Sequence, residues 1–336
     1  MRLSIITVCK NAEEHIEKAL QSVACQSYPN IEYIIIDGNS QDQTRKIIGN
    51  YRSTISHFVS EADTGIYAAM NKGLALASGD YVYFLNADDY LVDNNVVAAI
   101  ATFLQSQPDV DVLYGSLEVR NPSGDTHIAV PPPPENIADY MIYYSMPHQA
   151  TFFRLSLFKK WGYFDESYLI AGDVELYLRL LQDESLCWCR YPQVVGSYFN
   201  GGRSLANIQA TRQEFWTAQN QAVFYQSDDW KQRRICHFQK TILDLEKRVS
   251  EYQKQTAHLQ STIQEMGDHE QAELRLQAEL QEAREKIKRL RNRLKQTETT
   301  LEETRGQVVA METSKFWKLR SSWFQIKRLL GMHHED

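Results

Sequence analysis

Tyr81-Val82-Tyr83-Phe84-Leu85-Asn86-Ala87-Asp88-Asp89 sets a run of apolar and aromatic residues directly before an amide and a pair of carboxylates. The run reads as a buried strand, and the polar group after it as the turn that ends the strand. Upstream the same arrangement recurs. Leu3–Val8 reads as a buried first strand, Tyr33–Asp37 as a second ending in a carboxylate, and His57–Ser60 as a weaker third. Between them, Glu13–Val23 carries Ile16, Ala19, Leu20 and Val23 at the spacing of a one-sided helix, and Ile66–Ala77 reads as a helix stopped by Gly79. Strands alternating with amphipathic helices predict an α/β domain built on a parallel, helix-covered sheet. Open parallel sheets take ligands in the crevice beyond the carboxyl ends of their strands, and Asp37 and Asp88 both fall there.

The 336 residues exceed what one core usually organises, since cores stop growing beyond about 250–300 residues. Composition locates the change. Aromatic and β-branched residues fill the first two thirds, whereas Gln, Glu, Lys, Arg and Leu dominate after about residue 230, and no proline follows Pro192. The predicted organisation is an α/β domain over 1–225, a linker over 226–234, a coiled coil over 235–311 and a basic amphipathic tail over 312–336. Pro131–Pro134 marks a loop between two halves of the first domain, the second half holding Gln149–Phe153, Leu157–Trp161 and Asp173–Leu181.

A net charge of −7 without a basic face argues against nucleic acid as a partner. The five cysteines, Cys9, Cys25, Cys187, Cys189 and Cys236, are an odd number without metal-like spacing, and Leu3–Val8 is too short for a signal peptide. A reduced, cytoplasmic setting is expected, with Cys187 and Cys189 packed in a core. No apolar run approaches the roughly 20 residues that cross a bilayer.

Asn86-Ala87-Asp88-Asp89 offers hard oxygen ligands on a tight turn, a donor set suited to Mg2+ or Mn2+ with a diphosphate completing the shell. A plain Asp-rich turn is the bland alternative. Several segments, in order and spacing, resemble the family-2 glycosyltransferases, which have the A-type (GT-A) fold, a Rossmann-like nucleotide-diphospho-sugar transferase domain. The resemblance covers roughly residues 1–205. It rests on Ser4-Ile5-Ile6-Thr7-Val8 with Asn11, on Tyr33-Ile34-Ile35-Ile36-Asp37-Gly38-Asn39-Ser40 with Asp42 and Thr44, and on Glu61-Ala62-Asp63-Thr64-Gly65-Ile66-Tyr67. Met70-Asn71-Lys72-Gly73, Ser78-Gly79-Asp80, Phe84–Asp89, His148-Gln149 and Gly172-Asp173 complete it.

That resemblance implies a metal-dependent, inverting transfer of a sugar from a nucleoside-diphosphate sugar, a UDP-sugar being favoured, to a glycan, lipid-linked or other hydroxyl acceptor. It assigns Thr7, Val8 and Asn11 in the loop after the first strand, Asp37, Asp63, Lys72, Asn86, Ala87 and Asp88 to the nucleotide-sugar. The family's metal-binding DxD element falls on Asn86, Ala87 and Asp88, so an amide replaces its first acid and Asp88 becomes the principal metal ligand. Ala68 stands where many relatives carry Asp. The base that deprotonates the acceptor hydroxyl falls on Asp173, at a helix start where a carboxylate also serves as a cap, with Glu175 in reserve. His148 and Gln149 are acceptor-side candidates, and Arg203 in Gly201-Gly202-Arg203-Ser204 is a loop cation that could close over the diphosphate. The rival readings are a nucleotidyltransferase, which usually needs a Gly-rich basic loop where Val8-Cys9-Lys10-Asn11-Ala12 stands, and a non-catalytic coiled-coil scaffold.

From Ile235 to Met266 core positions recur in a 3,4 pattern, and from Leu276 to Met311 the period returns in a register shifted near Gly267. The shift reads either as a stammer in one rod or as the turn of an antiparallel hairpin. A continuous rod over 235–311 would be about 115 Å long and would need a partner chain, hence an expected homo-oligomer. Ser314–Leu330 interleaves Lys315, Lys318, Arg320, Lys327 and Arg328 with large apolar residues and no acid. Such a segment suits an anionic surface, here the inner face of the plasma membrane, or a docked partner.

Overall fold

A computed structural model describes residues 1–202, 207–265 and 270–313. Every residue of β1 (Leu3–Cys9) is buried, so its side chains must be covered on both faces. α1 (Ile16–Ala24) supplies one cover with Ile16, Ala19, Leu20 and Val23. The chain returns as β2 (Ile31–Asp37), crosses through α2 (Thr44–Asn50) to β3 (His57–Ser60), then through α3 (Ile66–Leu76) to β4 (Tyr81–Phe84). β3, β2, β1 and β4 lie side by side and parallel, with Cys9 level with Asp37, and Asp37 level with Ser60. Leu3, Ile5, Tyr33 and Ile35 share a core with α1, α2 and, further along, α4 (β5, Tyr90–Leu91, precedes it; α4 is Val96–Ser106). α3 lies on the opposite face, with Gly73 against Ile6.

Beyond β4 the sheet departs from the all-parallel expectation. β6 (Val112–Arg120) forms a hairpin with β7 (Thr126–Ala129), and after α5 (Ile137–Tyr140) the strand β8 (Thr151–Arg154) inserts antiparallel between β4 and β6. α6 (Ser156–Trp161) and α7 (Gly172–Leu180) follow, and the long β9 (Trp188–Phe199) runs parallel to β6 and antiparallel to β5. The order is β3-β2-β1-β4-β8-β6-β9-β5 with β7 against β6. The crossover helices that enforce parallel pairing end with α3, and the later connections allow antiparallel neighbours. α8 (Ile208–Gln221) closes this part. All five cysteines are free; Cys187 is exposed and Cys189 half-buried, which corrects the core packing expected for Cys187, because it precedes β9 rather than lying in it.

The chain divides into two compact units, Met1–Tyr225 and Gln226–Asp336. The second begins as helix α9 (Asp228–Glu265), with Asp228 and Asp229 in its first turn, so most of the linker read over 226–234 is helical. Acidic side chains favour a helix N-terminus, a signal the linker reading passes over. α10 (Glu270–Thr313) packs against α9 through Leu245, Val249 and Leu290, with Tyr252 and Leu294 at the margin. Nearer the break, Gln260 and Ile263 lie beside Leu280 and Arg284. Residues before the break thus meet residues after it in reverse order, so the pair is an antiparallel hairpin. The buried members belong to the heptad series, which is compatible with a coiled coil. The seam covers itself, and the argument that a single rod must find a partner chain loses its premise. Gly267 and the tail from Ser314 lie outside the described residues. Among the described residues no helix is long and apolar enough to cross a membrane. Leu245→Asp places a charge in the hairpin seam, where Leu245 is 2% exposed, and should lower the melting temperature of the helical ellipticity relative to the unaltered chain; unchanged melting would mean that the seam is not packed this way.

Candidate active site

The carboxyl end of β2 is a dense polar knot. Asp37 is fully buried, and its oxygens accept hydrogen bonds from Ser40 N at 3.1 Å, Ser60 Oγ at 2.6 Å and Ser40 Oγ. Ser40 Oγ in turn accepts from Asn11 N at 2.8 Å, and Asn11 Oδ1 from Gln41 N at 2.9 Å. Asn11 adopts φ 49°, a left-handed conformation that Asn tolerates. Asp37 and Asn11 therefore hold the first two strand-end loops together. Asp37 lies beneath the surface with these partners, while Asn11 is exposed at the loop. β1 extends to Cys9, so Thr7 is inside the strand and not in the loop after it; its hydroxyl meets Tyr33 Oη at 3.1 Å with no exposure. Val8 is likewise buried.

What this knot leaves open lies beside Gly38. A Cβ there would collide with Asp63 Oδ2 and come 3.2 Å from Lys10 Cδ, so the bare glycine lets an acid and a base flank one gap. Lys72, on α3, pairs with Glu61 at 2.8 Å and donates to Ala62 O at 3.3 Å. Both partners lie on the loop that carries Asp63.

Asn86-Ala87-Asp88-Asp89 turns out of β4 as the sequence implies, and its carboxylates have separate tasks. Asp89 is buried, accepts Phe199 N at 3.0 Å and Asn86 Nδ2 at 3.3 Å, and so ties the end of β9 to the turn. Burial, and after it the neighbouring Asp88 charge, pushes its carboxyl well above the usual range. Asp88 stays half-exposed. Arg120 Nη2 donates to Asp88 O at 2.7 Å, Nε donates to Ser197 Oγ at 2.8 Å, and the guanidinium lies 4.6 Å from the Tyr90 ring centroid. Nothing in the motif reading singles out Arg120. Asn86 Oδ1 is buried with no hydrogen-bond partner.

Asp173 opens α7. Tyr67 Oη donates to its Oδ1 at 3.3 Å and Ser145 Oγ to its Oδ2 at 3.4 Å. Burial pushes the carboxyl up to about 6. Gly172 leaves room for Tyr67, because a Cβ there would sit 2.8 Å from the ring. Tyr67 Oη also donates to Ile170 O at 2.6 Å. The backbone before α7 is gripped from α8: one Glu214 carboxylate accepts Leu169 N at 2.9 Å, Ile170 N at 2.8 Å and Ala171 N at 2.9 Å. Glu175 pairs with Arg179 at 2.7 Å and is not a free base. Tyr198 lines the same cleft as Asp173; burial, then the charges of Asp89, Asp88 and Asp173, push its phenol up to about 12. Sequence reasoning quotes Tyr67 without a role and misses Ser145, Tyr198 and Glu214, since each acts through a fold contact distant in sequence.

Asp173, Ser145, His148, Gln149 and Tyr198 line a cleft of about 310 Å³. His148 is buried against Phe84, with ring centroids 5.4 Å apart, and neither ring nitrogen has a partner. Burial lowers its imidazole to about 4, so it is neutral at pH 7. Arg203 lies outside the described residues.

The sheet and its strand-end carboxylates define a GT-A glycosyltransferase. The profile of Glycosyl transferase family 2 matches residues 4–161. An uncharacterized glycosyltransferase of Mycobacterium tuberculosis is 34% identical over 179 residues, covering 53% of this chain and 68% of that protein. A PGL/p-HBAD biosynthesis glycosyltransferase of the same species is 28% identical over 207 residues, covering 61% and 78%. The crystal structure of S. aureus TarS 1-349 in complex with UDP-GlcNAc shares the fold with a TM-score of 0.55 at 21% identity, covering 70% of each chain. The chain belongs to glycosyltransferase family 2, and the nucleotidyltransferase and scaffold readings fall away.

Glu214→Gln replaces an acceptor-only carboxylate, shared by three amides, with a group that turns an NH2 toward them. The variant should lose about 2 kcal/mol of stability, as for hydrogen bonds to a charged group, seen as a lower denaturation midpoint, with kcat falling and donor KM unchanged. A loss of stability with full kcat would show that the clamp does not position Asp173.

Proposed function

We propose that this enzyme is an inverting, metal-dependent glycosyltransferase that moves a sugar from a nucleoside-diphosphate donor, a UDP-sugar by preference, to a hydroxyl acceptor, with Asp173 as base. One observation carries the reading: Asp173, a half-buried carboxylate held by Tyr67 and Ser145 at the wall of a cleft, is raised to about 6 by burial. The donor class agrees with the UDP-GlcNAc bound to the TarS fragment, a protein of the same fold. In this reading the gap at Gly38, with Asp63 and Lys10, takes the nucleoside. Asp63 accepts from base or ribose, and Lys10 replaces Lys72 as the nearby cation.

Asp88 offers a carboxylate and Asn86 a buried, unpartnered amide oxygen, hard donors that suit Mg2+ or Mn2+. No cluster of three or more His, Cys, Asp or Glu able to hold a metal exists among the described residues, so diphosphate and water would complete the shell. Bound there, the ion would neutralise charge on the departing diphosphate.

In the transfer itself, the acceptor oxygen attacks the anomeric carbon from the side opposite the nucleotide. The new C–O bond forms as the bond to the diphosphate oxygen breaks. The acceptor proton passes to Asp173, and the nucleoside diphosphate leaves with the bonding pair. Tyr67 and Ser145 orient the carboxylate. A pKa near 6 matches a base working at neutral pH better than the ordinary carboxylate value does. The acceptor is a glycan or lipid-linked alcohol, and the basic tail beyond Ser314 would bring the enzyme to an anionic membrane.

Asp173→Asn should cut kcat by about 10²–10⁴, the usual contribution of a general base, with donor KM preserved. The ionised form is active, so kcat/KM should rise as pH passes about 6 and fall away below it. In the Asp173→Asn variant that limb should be absent. A profile flat through pH 6 in the unaltered enzyme would remove Asp173 from the role. Asp88→Ala should lower nucleoside-diphosphate release by about 10²–10³, as for loss of one charge-stabilising group; wild-type release in the variant, or in excess chelator, would remove the metal site.

A further inference from the structure

The cleft beside Asp173 is walled by Leu117, Val119, Val130, Pro131, Ile170 and Phe215. Apart from Asp173 itself, no charged side chain lines it among the described residues. Its other polar groups are neutral: Ser145, Gln149, Thr211, the phenols of Tyr140 and Tyr198, and the buried His148, whose ring nitrogens both lack partners. A buried imidazole without partners leaves a donor and an acceptor unsatisfied, a cost normally removed by a ligand or water. The apolar character continues outward. Val130, on the cleft wall, is 64% exposed.

We infer that the acceptor is an uncharged sugar or alcohol joined to an apolar aglycone, its hydroxyl at Asp173, its polar edge against His148 and Gln149, and its aglycone along Val119, Val130, Pro131 and Phe215. This rests on Asp173 being the base. Chemistry excludes the obvious competitor. Among the described residues a phosphate-bearing acceptor would meet one carboxylate and no cation in the cleft, and like charges repel in a site of low dielectric. Apolar walls with a few placed polar groups are instead what a neutral ligand with an apolar end requires.

The test compares, within each of several sugars, methyl, octyl and p-nitrophenyl glycosides below their micellar concentrations, together with the sugar 1-phosphate. Nucleoside-diphosphate release is measured over the hydrolysis seen without acceptor. Octyl and p-nitrophenyl glycosides should exceed methyl glycosides in kcat/KM by about tenfold or more, the effect of burying roughly two methylenes. Sugar phosphates should be the poorest. Val130→Glu, at an exposed position of the cleft wall, should collapse the octyl-to-methyl ratio of kcat/KM toward unity, both acceptors being compared within that variant. Equal use of methyl and octyl glycosides, preference for the phosphate, or an aglycone preference untouched by Val130→Glu would each overturn the inference. Calorimetric binding of octyl and methyl glycosides to the enzyme without donor decides it independently of turnover, expecting tighter octyl binding. If no nucleotide-sugar is turned over at all, the glycosyl-transfer reading falls, and equal octyl and methyl binding would remove the acceptor inference separately.

Discussion

Strands buried on both faces can keep unpaired polar side chains only at their ends, and that constraint shapes the catalytic unit. β1, β2 and β4 carry almost uninterrupted burial along their length. The polar groups inside are matched: Thr7 with Tyr33, and Ser4 with Glu32, which Ser78 and Arg2 also engage. Asp37 and the turn Asn86–Asp89 follow at the carboxyl edge. Because Cys9 is level with Asp37, and Asp37 with Ser60, the loops emerge side by side. The register that satisfies the backbone ladder thus also assembles the site.

The second half solves a different problem. A base on a helix start needs its backbone held while its side chain stays accessible. Tyr67, from α3, bonds both Ile170 O and Asp173. Glu214, from α8, takes the amides of Leu169, Ile170 and Ala171. Gln219, on the same helix, donates to Met141 O at 2.7 Å and Ile142 O at 2.9 Å, steadying the segment that leads to Ser145. α8 thus holds the two segments that lead to Asp173 and to its partner Ser145.

What sequence can disclose follows from range. His57–Ser60 is legible at its observed limits, and Ile66–Ala77, Tyr81–Leu85 and Leu3–Val8 to within one residue at an end, because periodicity and stop signals are local. The mixed half is harder: β8 gains its place from partners at Tyr81–Tyr83 and Val112–Tyr114, far apart in the chain. Residue roles divide in the same way. The polar turn at Asn86–Asp89 is visible as a motif. That Asp37 is consumed by Ser40 and Ser60, that Lys72 serves Glu61, and that Arg120 steadies Asp88 depend on tertiary neighbours no spacing encodes. The hairpin in the arm lies between. Its register shift is legible, but choosing a turn over a stammer requires seeing Leu245 and Val249 packed on Leu290.

The amide at position 86, where the family pattern has an acid, has a physical reason in Asp89. Asp89 must be buried, since its Oδ1 accepts the Phe199 amide that anchors β9 to the turn. Burial already raises that carboxyl, and the Asp88 charge raises it further. A third carboxylate at position 86 would stand where Asn86 Nδ2 now lies 3.3 Å from Asp89 Oδ2, replacing a donated hydrogen bond with repulsion. Asparagine resolves the conflict by turning its amide nitrogen to Asp89 and leaving Oδ1 without a partner. In the proposed reading that oxygen still coordinates, but it brings no charge. Asp88 then stands as the single anionic ligand of the turn, with the Arg120 guanidinium held against its backbone. Retention of the cation leans correspondingly on the donor's diphosphate, so ion and nucleotide-sugar would bind as a pair rather than in sequence.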